Sequence, residues 1–473
     1  MDTLTWTGTL GTVLDPITFF VAIAFAVAVV AQIVVSFVTL DDRIAINADG
    51  TATRGAGLAH LAGRAVLILL LALIGCVAAY VVGGIVMPHG QAGIVGAIGK
   101  RFLPVWIALI VTFGLSIAFK RKLGLYGKLM DSTVGMIGFG MVMFWVYTAL
   151  FTAGFDWIAT HDALNQISGL KNKVPGTPVP EEGLYPHYLL GGDNLARDVF
   201  SRMIKGSWIV VQIAPLATAF AFMVGITLGL PAGYYGGRLD TFLSFLANLI
   251  LAFPVILLFY LLVTPEIVNS GLPKYMAGVL FLFPIVFLVI LYQSRFFTQP
   301  AKRNLYVALV VLIGGWIYLG VAWDADPTGL IAVPPGVLVV FVSVVFVNAP
   351  TVFRIVRGLA LDIKTRDYVA AAQTRGEGPW YIMLWEILPN ARGPLIVDFC
   401  LRIGYTTILL GTLGFFGLGL PPESPDWGST INDGRRLLSA YPHPALPPAL
   451  ALMSLVLGLN LLADGLREES LRD

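Results

Sequence analysis

The chain has 473 residues, 57% of them hydrophobic and only 12% charged, with a net charge of +2. A soluble domain carries about 25% charged residues, so a soluble fold is excluded, and so small a net charge gives no support to nucleic-acid binding. The composition predicts an all-α, polytopic membrane protein in a lipid bilayer. Lipid admits only helices or closed barrels, and the alternating ten-residue segments of barrel strands do not appear.

A membrane span needs about 20 mostly apolar residues. Runs of that kind lie at 17–40, 65–87, 103–119, 134–152, 208–235, 240–263, 276–293, 305–323, 335–353, 394–416 and 446–465. The first lacks a basic leading region and a small-residue cleavage site, so it reads as a span and not as a cleaved signal. Cys76 and Cys400 both fall inside expected spans and read as small apolar packing, not as a disulfide or metal site. With the N-terminus outside and the C-terminus inside, most Lys and Arg face the cytoplasm. The basic stretches KRKLGLYGK (120–128) and RFFTQPAKR (295–303) and the segment 354–392 then all lie inside.

Four regions are expected. Residues 1–128 hold extra N-terminal spans without evident chemistry. Residues 129–263 hold two further spans after 134–152 and a long outer segment, 153–207. Residues 264–334 add two spans, and 335–473 complete the chain. Within the outer segment, Leu195, Val199, Phe200, Met203 and Ile204 recur at helical spacing after Asp193, a fair N-cap residue. They predict an amphipathic helix on the membrane surface just before the next span. His161, His187 and His443 fit no metal-ligand spacing and read as surface residues. No paired carboxylates suggest an active site, and no G-x-x-x-x-G-K-[ST] phosphate loop occurs. The chain is therefore not expected to be an enzyme or to bind ATP, a metal or a cofactor.

Between two late spans lies a polar insert, RDYVAAAQTRGEGPWYIMLWEILPN (366–390). Its first half favours helix. Gly376 and Gly378 permit a sharp turn, and Pro379 suits the start of a second helix. Trp380, Ile382, Met383, Leu384, Ile387 and Leu388 form a short apolar run that Pro389 is expected to stop. Two short helices joined at glycine make a knob whose Tyr, Trp and Met side chains would suit a partner's groove. Spacing alone equally allows a linker packed on its own protein.

This insert resembles the EAA loop of ABC importer permeases in Ala371, Ala372, Gly376, Leu388 and Pro389. Other blocks are similar to the C-type permease of dipeptide, oligopeptide and nickel importers. They are LLGGDNLARDVFSRMIKG (189–206), LGLPAGYYGGRLD (228–240), AFP (252–254), FRIVRG (353–358), ILPNARGPLIV (387–397) and FFGLGLPPESPDWG (415–428). The resemblance covers about 189–263 and 335–465, with 134–152 as the first core helix. It implies a type I importer permease core of six helices plus about five extra spans, in the inner membrane of a prokaryote. It also implies a homologous B-type permease, two cytoplasmic ATPase subunits carrying the ATP and magnesium, and an extracytoplasmic substrate-binding protein. Short peptides are the expected cargo; oligosaccharides or a metal chelate fit the same architecture.

By the resemblance, Asp367, Tyr368, Ala371, Ala372, Arg375, Gly376, Glu377, Trp380 and Leu384 couple the chain to the ATPase. The glutamate that names the loop is Ala370 here, so Asp367, Arg375 or Glu377 would have to replace its contact. Asp398 and Arg402 stand i,i+4 within a span, where charges are costly and usually paired or turned to a cavity. They form either a local ion pair or part of the pathway or subunit interface. A gradient-driven secondary transporter is the competing class, although its internal repeats and midplane ion site are not evident.

Overall fold

The computed structural model describes residues 3–38, 54–88, 90–181, 184–331, 333–418 and 424–470. Outside these lie the end of the expected 17–40 span, Glu182 and Gly183 of the outer segment, and 419–423 of the block 415–428. The chain divides into two compact units, 1–106 with 157–200, and 107–156 with 201–473.

The first unit contains α1 (Gly11–Val38), α2 (Arg54–Val86) and α3 (Gly93–Arg101). α2 packs against both α1 and α3. The outward faces of α1 and α2 are almost wholly apolar, as lipid contact requires. Asp15 accepts hydrogen bonds from Thr7 Oγ1 at 2.8 Å and from the Tyr80 hydroxyl, which satisfies a carboxylate inside an apolar helix. The segment 157–198 folds on itself around Ile158, Ile167, Leu170, Tyr188 and Leu189, all buried. A two-stranded antiparallel hairpin, β1 (Thr177–Pro178) with β2 (His187–Tyr188), ties it together, and Leu4 N donates to Gly176 O at 2.9 Å.

Two expectations for this segment are corrected. His161 and His187 are buried, not on the surface. His161 is held between Asp198 Oδ2 (3.2 Å) and the Tyr185 carbonyl (3.0 Å). Nor does a separate surface helix begin at Asp193. Asp193 makes a turn, accepting from Leu195 N and Arg197 N and pairing with Arg197 Nε at 2.7 Å. Asp198 is the true cap: its Oδ1 accepts from Phe200 N at 3.2 Å. The apolar residues that suggested a surface helix, Val199, Phe200, Met203 and Ile204, are buried first turns of a long membrane helix.

The second unit begins within α4 (Leu103–Ala118) and continues through α5 (Gly124–Leu129) and α6 (Thr133–Phe155) to α7 (Val199–Tyr235), whose first two residues belong to the first unit. α8 (Gly237–Leu251) and α9 (Val255–Val263) meet at 81°. The expected single run 240–263 is therefore two helices with a sharp bend between them. Pro254 explains the break, because it cannot donate to the helical ladder and disfavours helix in the residue before it. The insertion comprises α10 (Pro265–Asn269), α11 (Leu272–Leu280), α12 (Leu282–Arg295) and α13 (Pro300–Trp323). α14 (Pro335–Ile363) follows. The polar insert holds α15 (Asp367–Thr374), α16 (Pro379–Tyr381) and α17 (Leu388–Asn390); α18 (Arg392–Phe415), α19 (Trp427–Arg435) and α20 (Leu446–Ser470) complete the chain. Among the described residues, nine helices are long and apolar enough to cross a membrane, or up to eleven if each bent pair is one span.

Helix α20 packs on α6 and α18, and α14 packs on α8 and α11. A glycine stripe, Gly225, Gly229 and Gly233, lets α7 approach α14 closely. A Cβ at Gly225 would lie 2.5 Å from Val352 Cγ1, and one at Gly233 2.7 Å from the Arg357 carbonyl. Across α7, α14 and α18, Thr218, Asn348 and Thr406 form a buried polar contact with separations of 3.4 Å.

Candidate functional site

The insert 366–390 is a hairpin with two faces. α15 is followed by a turn in which Gly376 has φ +77°, the left-handed region that side chains resist. Gly378 has an ordinary φ of −68° and leads into Pro379 at the head of the second helix. That second arm does not end at Pro389 as expected. It widens to π geometry over Ile382–Ile387 and continues through Leu388–Asn390. Pro389 lacks an N–H and its ring would strike the carbonyl four residues back; the wider turn just before it relieves both problems.

The inner face is fixed to the protein itself. Val369, Ala372, Ile382, Met383, Leu384 and Ile387 are buried in one core with Leu230 of α7 and Val352, Val356 and Ala360 of α14. Of the expected coupling residues, Ala372 and Leu384 therefore lie beneath the surface, at 0% and 3% exposure, as does Met383. They hold the hairpin to α7 and α14. An amphipathic run announces that it buries one face, without saying against what.

The outer face carries the other expected residues. Asp367, Ala371, Arg375 and Gly376 are exposed, Tyr368 is 39% exposed, and Glu377 and Trp380 are half-buried. Ala370 is exposed too. Arg375 is shared between Glu386 Oε1 (3.0 Å) and Glu377 Oε1 (3.8 Å). Asp367 makes no ion pair among the described residues. It stands three residues before Ala370, so the two positions share one face of α15.

Contacts that sequence reasoning missed tie this hairpin and the helices beside it together. Lys364 Nζ donates to the Gly233 and Tyr234 carbonyls (2.8 and 3.2 Å), capping the C-terminus of α7, and Gln373 donates to the Tyr234 hydroxyl at 3.2 Å. Trp385 Nε1 donates to Ser294 Oγ at 3.1 Å, and the Arg295 guanidinium lies 4.6 Å above the Trp385 ring, joining the insertion to the hairpin. Arg357 forms a two-pronged ion pair with Asp240, which clamps α8 to α14. Only position in the resembling block FRIVRG could have drawn attention to Arg357.

Asp398 and Arg402 are brought together, with Arg402 Nε donating to Asp398 Oδ2 at 2.6 Å, and both side chains are largely buried. The geometry is that of the local pair. At the opposite end of α7, Arg202 and Met203 meet the start of α19. Fully buried Arg202 donates to the Ser424 carbonyl (3.3 Å) and Thr430 Oγ1 (3.2 Å), and Trp427 Nε1 donates to the Met203 carbonyl at 2.7 Å. Asp426 caps α19 by accepting from Ser429 N at 2.9 Å, and its burial pushes the carboxyl above the usual range. Among the described residues no group of three or more His, Cys, Asp or Glu could hold a metal ion.

An all-α multi-pass chain that carries a two-faced hairpin packed on α7 and α14 fits the class of transport permeases. The chain belongs to the family of binding-protein-dependent transport system inner membrane components, whose model matches residues 225–468. It is 30% identical to the glutathione transport system permease protein GsiD of Pectobacterium atrosepticum over 61% of this chain and 73% of that protein. It is also 30% identical to the dipeptide transport system permease protein DppC of Haemophilus influenzae, over 62% and 76%. A DppC protein of Alkalihalophilus pseudofirmus is 26% identical over 61% and 72%. The chain is thus a multi-pass inner-membrane permease subunit of an ABC importer, as the quoted blocks predicted.

Proposed function

We propose that this permease imports short peptides and that hairpin 366–390 is the handle by which an ATPase drives it. The similar proteins are named for glutathione and dipeptide transport, both short peptide cargoes, which supports that cargo class. The observation that carries the coupling reading is the division of the hairpin. Its inner row is welded to α7 and α14, whereas Asp367, Tyr368, Ala371, Arg375 and Gly376 are left outward. Such a knob transmits force instead of absorbing it. In this reading the hairpin faces the cytoplasm, the N-terminus lies outside, and the chain pairs with a homologous B-type permease. Two ATPase subunits grip the paired hairpins, and an extracytoplasmic binding protein delivers the cargo. ATP-driven closure pulls the hairpins and rocks the core helices between inward-open and outward-open arrangements, a rigid-body change between two states.

Asp367 takes over the contact that Ala370 cannot make. It is an exposed carboxylate at the first turn of α15, unpaired with any cation among the described residues. In proteoliposomes holding the intact complex, Asp367→Lys combined with Tyr368→Ala should lower ATP-driven dipeptide uptake at least tenfold while the permease pair still co-purifies. Solute movement by this chain alone, driven by an ion gradient, would overturn the reading.

A further inference from the structure

The insertion α10–α13 builds a pocket beside the hairpin. Its volume is about 540 Å³, and it lies between the last turns of α12 and the turn of the hairpin. Phe297, Trp380 and Tyr381 supply aromatic surface, Gln293 and Ser294 supply polar groups, and Glu377 is the only charged residue in the described wall. Phe297 is 73% exposed at the rim, a large apolar side chain left without cover. The pocket is held in shape by the Trp385–Ser294 hydrogen bond and by Arg295 stacked on Trp385. Arg295 is thereby directed to the Trp385 face, and Arg375 sits nearer Glu386 than Glu377. The pocket wall thus joins aromatic faces to a carboxylate that is only loosely engaged, a combination that receives a cation.

We propose that this pocket is a second docking point for the ATPase subunit and that it receives a basic side chain, Lys or Arg, from that subunit. The inference rests on the reading of the hairpin as the ATPase handle, because one wall of the pocket is the hairpin turn itself. It assigns a role to the insertion. Helix α12 and the segment after it extend the docking surface sideways, so that recognition is shared between the hairpin and the added helices. This also places an acid within the docking face of a chain whose loop carries Ala370 at the family's glutamate position.

The test uses the assembled permease pair immobilised in nanodiscs, with ATPase subunits washed over it at increasing sodium chloride. Phe297→Ala and Glu377→Gln should each weaken retention of the ATPase about tenfold, and Glu377→Gln should flatten the salt dependence because an ion pair has gone. Phe297 is exposed, so its truncation leaves the core intact, and melting of the permease pair should not move. Unchanged retention and salt dependence in both variants would overturn the inference. The Asp367→Lys, Tyr368→Ala double variant distinguishes the two readings. If it alone releases the ATPase, the handle stands and the pocket falls; if neither set releases it, both fall.

Discussion

Replacing Gly376 with valine isolates the hairpin turn. The φ of +77° there costs an L residue about 1–2 kcal/mol, and a β-branched side chain is the least tolerant of it. A Cβ at this position meets nothing within 4 Å, so no clash adds to the strain. Against that stands the inner row. Burying Val369, Ile382, Met383, Leu384 and Ile387 contributes roughly 1.5–3 kcal/mol each, several times the strain in total. The hairpin therefore stays attached, and the backbone of the turn must shift. The expected result is normal assembly of the permease pair, a melting temperature within a few degrees of wild type, and loss of ATP-driven uptake in proteoliposomes. Gly378→Ala is the internal control. Its φ of −68° suits any residue, and its Cβ also meets open space, so the turn need not shift and the loss of uptake should be far smaller than in Gly376→Val. Wild-type uptake by Gly376→Val would refute the argument, and so would equal loss in Gly378→Ala.

Single changes at the intramembrane pair, Asp398→Asn or Arg402→Gln, each leave a buried charge without its partner and should destabilise by about 3–5 kcal/mol. The double change should recover much of that loss, and uptake should follow stability; a double variant that melts normally but does not transport would mark the pair as part of the pathway. Trp427→Phe keeps a ring against Trp145 but removes the indole bond that the Met203 carbonyl accepts in addition to its helical one, at a cost of about 0.5–1.5 kcal/mol read from thermal melting. Two carboxylates outside the spans should act on pH with opposite sign. Burial raises Asp426 above its ordinary 3.8, so the folded state holds the proton longer and stability falls as pH rises through the window above 3.8. Asp426→Asn keeps the cap and should flatten that fall in a melting series from acid to neutral pH. Although desolvation pulls Asp326 upward, hydrogen bonds from Ile331 N and Thr328 N and from Trp316 outweigh it and hold the carboxyl well below 3.8. Its stabilisation is present above 3.8 and is lost as pH falls, a loss that Asp326→Asn should abolish.

Spans were legible because lipid imposes a length and a polarity on each, and Pro379 and Gly376 marked the hairpin turn because few residues can occupy those positions. Other features depended on contacts that spacing does not contain. Met383 and Leu384 looked like docking residues, since burial against α7 and burial against a partner give the same apolar run. His161 and His187 looked exposed because nothing local reveals that 157–198 folds on itself or that Asp198 lies beside His161. The π turn before Pro389 and the break before Pro254 show the same residue handled in two ways. One helix widens and continues, the other stops and turns, and the neighbours decide which. Ser294 carried no motif, Arg295 counted only as one charge of a basic stretch, and only the fold brings them to Trp385.

Helix α7 has 37 residues, so it extends about 55 Å, far beyond the roughly 30 Å hydrocarbon layer. Lys364 grips one tip and the Arg202–Ser424 bond anchors the other. A tug at either tip is therefore felt at the far side of the bilayer through a single piece of secondary structure, with no relay of side chains between. What compliance it has is concentrated at Pro215 and Pro231, where the missing N–H groups break the ladder. The two surfaces of the membrane thus share one axle, and its stiffness at those two prolines sets how faithfully a displacement at one tip reaches the other.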